Sequence, residues 1–153
     1  MSDFETFCNA LISDLTTNVS ALNGATTHTL APYAPEERVN DGSVHLAVWP
    51  SAELTERASR LMLGADDVEQ VFTVVYWEPS GTESARQVED TTAATALFDL
   101  ANAIRARMYR FNNGFTVSGY YRLFYNGARF PDRSSKVRWF EMEVSATTGV
   151  AFT

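Results

Sequence analysis

Residues 90–114, DTTAATALFDLANAIRARMYRFNNG, are the stretch whose reading decides the fold. Ala94, Leu97, Phe98, Ala101, Ile104 and Met108 recur at helical spacing and make one apolar stripe. Asp90, Thr91 or Thr92 can cap the start with a side-chain oxygen. Asn112, Asn113 and Gly114 can end the helix, since Asn and Gly tolerate left-handed backbone. Strand-like segments flank it, VEQVFTVVYW before and GYYRLFYN and KVRWFEMEV after. A helix apolar on one stripe needs a surface to cover, and a sheet supplies one.

Working outward, Ser2 and Glu5 have the spacing of a capping box. Phe4, Phe7, Cys8, Leu11, Ile12, Leu15 and Val19 follow as a second helical stripe, stopped by Asn23-Gly24. Residues 25–42 read as an irregular connection with a short edge strand at 27–30. Residues 43–49 alternate as a strand that Pro50 is expected to end. Residues 51–63 suit a short helix by propensity, or a hairpin with the next segment; the hairpin is favoured, because the strand at 68–77 is apolar on both faces and needs neighbours. Residues 78–89 read as a polar exposed loop. Strands are expected at 115–125 and 136–146, with Asn126-Gly127 as a turn after the first. In the second, Phe140, Met142 and Val144 face inward and Glu141 and Glu143 outward. The expected class is α+β: one domain over 1–153, a mostly antiparallel sheet packed against two amphipathic helices, with long exposed loops or a hairpin.

The composition, 45% apolar with 12% aromatic, supports a folded core rather than disorder. No apolar run reaches membrane-spanning length, so no membrane partner is expected. The acidic start MSDFETF lacks the core of a signal peptide. One cysteine, Cys8, excludes an internal disulfide and fits an intracellular origin or a particle assembled inside a cell. Cys8 lies on an apolar stripe, which favours an inert buried thiol.

Charge is unevenly spread. Residues 1–100 carry a net −12 and residues 101–153 a net +5, within a total of −7. That split has three readings: opposite faces of neighbouring subunits, a basic region that meets nucleic acid, or solvated faces with no partner. Arg105, Arg107, Arg110, Arg122, Arg129, Arg133, Lys136 and Arg138 are interleaved with aromatic residues. Single-stranded nucleic-acid sites and protein interfaces both use that mixture. The acidity of the whole chain favours the interface.

Catalytic and metal chemistry find little support. His28 and His45 lie in unrelated contexts, a loop and a strand, and suit structural roles. Asp66, Asp67 and Glu69 lack the spacing of a calcium loop and read as an exposed turn. Glu141 and Glu143 share a strand face, which outward polar alternation explains better than acid–base work. No catalytic residue, metal ligand or cofactor is expected.

The order of elements resembles the tail terminator proteins of long-tailed bacteriophages of the lambda type. The resemblance rests on an N-terminal helix, a strand ending in Val48-Trp49-Pro50, a hairpin-like excursion, the strand VFTVVYW, the helix ALFDLANAIRARM and closing strands ending in RWFEMEVSA. It implies a structural virion protein, not an enzyme: a homo-hexameric ring that ends the tail tube, touches the tail tube protein and the head-neck connector protein, and passes genomic DNA without sequence-specific binding. No residue carries over by motif. On physical grounds Glu36, Glu37, Asp66 and Asp67 are expected near the lumen or ring faces, where acids repel phosphates. Arg107, Arg110, Arg129 and Arg133 are the expected cations of the subunit contact. The alternatives are another neck or tail-tube subunit or, from a different class, a small-ligand-binding α+β module.

Overall fold

A computed structural model describes residues 3–32, 37–38, 40–56, 65–80, 86–131 and 137–151. The first helix, α1, spans Asp3–Asn18. It buries Phe7, Cys8, Leu11, Ile12 and Leu15 along one stripe, and Asp3 and Glu5 suit the positive end of its dipole. Ser2, the expected cap, lies outside the described residues. A short 3-10 turn, Ser20–Leu22, follows, and Gly24 turns the chain at φ 78°, backbone that glycine adopts without strain.

The strands are β1 (Thr26–Thr29), β2 (His45–Glu56), β3 (Ala65–Pro79), β4 (Tyr120–Arg129) and β5 (Val137–Ala151). They form one sheet in the order β1-β2-β3-β5-β4. Only β1 and β2 pair in parallel; the other neighbours are antiparallel. The second helix, α2 (Arg86–Met108), joins β3 to β4, with β5 inserted between them. That makes a split β-α-β unit, and the class is α+β as expected.

Both helices pack on one face of the sheet. Phe7 stacks on Phe72 with ring centroids 4.1 Å apart, and Tyr120 closes the cluster at 5.1 Å from Phe7. Leu97, Leu100, Ala101, Ile104 and Met108 bring α2 onto the same core. Each fully buried large side chain contributes about 1.5–3 kcal/mol over exposure. Arg107 ties the helices together, its Nη2 donating to Asp14 Oδ1 at 2.6 Å and its Nε to Oδ2 at 3.0 Å.

Several expectations are corrected. Pro50 does not end β2, because a bulge between Pro50 and Ala52 absorbs the missing donor and the strand continues to Glu56. Residues 51–56 are strand rather than helix: they continue β2 and pair antiparallel with β3, with Glu56 opposite Asp67. The next strand, β3, begins at Ala65 rather than 68, while residues 57–63 of the expected hairpin lie outside the described residues. Asp66 and Asp67 therefore lie in a strand, not in an exposed turn, because β5 runs on to Ala151 and pairs with them. The polar loop at 78–89 is shorter at both ends, since β3 reaches Pro79 and α2 starts at Arg86. Asp90 is thus inside α2 rather than at its cap.

Phe98 is 49% exposed and Leu100 takes its place in the core; Phe98 instead meets Phe130 edge-on at 4.9 Å. After α2 the chain turns rather than extends, burying Phe115 and Val117, and β4 starts only at Tyr120. Asn126-Gly127 is not a turn. It is a bulge inside β4, with Gly127 at φ 131°.

Candidate functional site

The second face of the sheet carries the densest polar cluster. Strand pairing sets His45 opposite Trp77, and Trp77 opposite Trp139. The parallel pairing of β1 brings His28 alongside. The rings lie nearly flat on one another: His45 on Trp77 at 4.7 Å and 5°, His28 on Trp77 at 5.4 Å and 12°. His28 Nε2 lies 3.0 Å from His45 Nδ1, and His45 Nε2 lies 3.0 Å from Asp41 Oδ1.

A carboxylate only accepts, so His45 donates through Nε2 to Asp41. Its Nδ1 then accepts from the Nε2–H of His28. Burial, then the neighbouring His45, lowers the pKa of His28 below its ordinary value. The hydrogen bond from His45, helped by the Ser43 N–H, holds the Asp41 carboxyl below the usual range. The two histidines are therefore not in unrelated contexts; they form one stacked, hydrogen-bonded pair.

Arg38, from the connection between β1 and β2, lies over the same row and is 3% exposed. Its guanidinium carbon is 5.5 Å from the Trp139 ring centroid and 6.0 Å from that of Trp77. Its Nη2 donates to Glu141 Oε1 at 2.9 Å, while Arg129 donates to Oε2 at 2.6 Å. Burial alone raises the Glu141 pKa, but hydrogen bonds from the two arginines more than offset it and leave it lowered. Glu143 accepts from Asn126 Nδ2 at 3.2 Å instead. Glu141 is therefore an anchor that fixes the connection to the sheet, and not half of an acid–base pair with Glu143.

The residues expected to carry function are scattered. Glu36 and Arg133 lie outside the described residues. Glu37 is exposed beside Arg38. Asp66 pairs with Val150 and Asp67 with Gly149, at the far end of β3 from Trp77. The side chain of Asp66 lies outside the described residues, and that of Asp67 is half-buried. Arg107 is held by Asp14, and Arg129, although 72% exposed, is held by Glu141. Arg110 is exposed just beyond α2.

The Arg38–Glu141 anchor and the histidine pair were missed. Their partners are 103 and 17 residues apart, and only the shared parity of His45, Trp49 and Trp77 along their strands hinted at one face.

The clefts are open and shallow. One of about 340 Å³ lies over Asn126, Arg129, Glu141 and Glu143. Another of about 410 Å³ lies between the end of α1 and the middle of α2, lined by Val19, Ala96, Leu100 and Ala103. Cys8 is buried and its thiol is pushed up to about 12, chiefly by burial, so it keeps its proton. Among the described residues no three His, Cys, Asp or Glu side chains converge as metal ligands. No helix among them is long and apolar enough to cross a membrane. No protein-family model matches this chain, and no curated protein sequence does either.

Proposed function

We propose that this chain is a structural ring subunit, of the kind that terminates the tail tube of a long-tailed bacteriophage. Six copies form the ring and sit in the virion between tail tube and head-neck connector, and DNA passes through the hole. The observation that carries the reading is the incomplete cover of the sheet. Both helices lie on one face, and among the described residues Arg38 with its neighbours covers the other near Trp77 and Trp139. Toward the far end, Leu54 (57% exposed), opposite Glu69, and Phe124 (52% exposed), opposite Ser145, stand open on that second face. Large apolar side chains left in water at a sheet face mark a contact surface.

The order and size of the elements agree with the resemblance: helix, β2–β3 hairpin, long helix, two closing strands. A ring needs two different patches on each copy that meet head to tail and close. The reading is tested on growing tail tubes. Gold-labelled chain added to polymerising tube subunits is expected at one end of each tube, with elongation stopped there. Label spread along the tube, or tubes that grow on unaffected, would overturn it.

A further inference from the structure

Alternate side chains of the edge strand β4 leave opposite faces of the sheet. Leu123 and Tyr125 turn toward the helices and pack against their core. Arg122 and Phe124, opposite Thr147 and Ser145, therefore stand on the second face. Phe124 is half exposed, and the Arg122 guanidinium lies 5.3 Å from its ring and 5.9 Å from that of Tyr121. Arg122 makes no ion pair with a described residue. The second face thus presents an apolar knob with a cation beside it. Exposed aromatics with arginine are the side chains that anchor interfaces.

The cleft of about 410 Å³ between α2 and the end of α1 has the opposite character. Ala96, Asp99, Leu100 and Ala103 recur at i, i+3, i+4 and i+7, so one face of α2 carries all four. The short side chains of Ala96 and Ala103 leave room there, and the buried Val19 and Leu100 give the cleft an apolar lining. Asp99 is exposed on its wall and makes no ion pair with a described residue. Val19 and Leu100 belong to the core on the helix side, so cleft and knob lie on opposite sides of the sheet and cannot meet within one chain.

We infer that Phe124 of one copy seats in the α1–α2 cleft of a second copy, where Arg122 pairs with the Asp99 of that copy. Ring meets apolar cleft and cation meets carboxylate, so shape and charge agree in the same register. A copy that donates Phe124 keeps its own cleft open for the next. The contact is heterologous and propagates until it closes.

The inference rests on the ring reading and supplies its two patches. Particle mass is measured by light scattering over a concentration series for wild type, Phe124→Ala, Arg122→Glu, Asp99→Lys and the double variant Arg122→Glu/Asp99→Lys. All three positions are exposed, and circular dichroism checks that each variant is folded. Each single variant is expected to fall to 17.0 kDa subunits, or to need about tenfold higher concentration to assemble. The double variant is expected to recover the wild-type mass, because the reversed charges meet again in every contact.

Single variants that assemble like wild type, or a double variant that does not recover, would overturn the pairing and leave the ring reading standing. Wild-type chain that never passes the dimer, with or without tail tubes, would overturn both. Fluorescence anisotropy with labelled single-stranded DNA separates the other occupant. Loss of DNA binding in Arg122→Glu at unchanged particle mass would make the knob a nucleic-acid site and overturn the inference.

Discussion

Replacing Arg38 by Met tests how the second face is held. Methionine keeps an apolar stem of similar length and deletes the charge. Removing one partner of a buried ion pair costs about 3–5 kcal/mol when the other charge is stranded. Glu141 is not stranded, because Arg129 bonds its other oxygen at 2.6 Å, so the loss is about 2 kcal/mol. The guanidinium also leaves the faces of Trp139 and Trp77, at 5.5 and 6.0 Å, which adds about 0.5–1 kcal/mol each. The sum is about 3–4 kcal/mol, or a fall in Tm of about 6–16 °C for a domain of this size.

Urea unfolding followed by circular dichroism reads the energy, and tryptophan emission reads the place. Emission at low urea is expected to shift to the red as water reaches Trp77 and Trp139. A loss under about 1 kcal/mol with unchanged emission would refute the anchoring role of Arg38.

Other outcomes follow from the same structure. The His28 pKa is lowered on folding, so the unfolded chain takes up the proton first and stability falls as pH drops below the ordinary value of 6.5. Glu141 adds to the acid loss, since its carboxyl is also held low and stability is lost as pH falls through its folded pKa. His28→Gln keeps a donor toward His45 and is expected to shrink the loss between the neutral range and the carboxylate range, read as urea midpoints against pH; an unchanged slope would contradict it. Cys8, with its thiol pushed up to about 12, is expected to resist an aromatic disulfide reagent in the folded chain and to react at once in guanidinium. Rapid reaction under native conditions would show that the first helix does not bury it. Phe72→Ala removes the ring that stacks on Phe7 at 4.1 Å and should cost about 3–5 kcal/mol in the same unfolding assay, whereas a cost under 1 would misplace the core.

Local periodicity carried most of the fold. Cys8, Leu11, Ile12 and Leu15 announce α1 by spacing alone, and the two-faced apolar run at 71–77 announces a central strand. What failed depended on distant partners. Phe98 and Leu100 flank the stripe of α2 on opposite sides, and only the angle at which the helix meets the sheet decides which is buried. The Asn126-Gly127 bulge has the letters of a turn; β5 pairing on both sides of it makes it part of a strand.

The candidate site was less legible for the same reason. Arg107 looked like a surface cation until Asp14, 93 residues away, was placed against it. Arg38 sat in an irregular acidic stretch with nothing to mark it as buried. Charge partners in a folded chain are set by strand register and helix packing, and no residue pattern within a few positions encodes them.

The central claim is that copies of this chain meet head to tail and close. Negative-stain electron microscopy of the assembled protein, lightly cross-linked and averaged by class, tests it most directly. The account predicts rings with an open centre and six-fold symmetry, at a mass six times the 17.0 kDa subunit. Lone globules at every concentration and also with tail tubes present, or two-fold dimers with no hole, would contradict it.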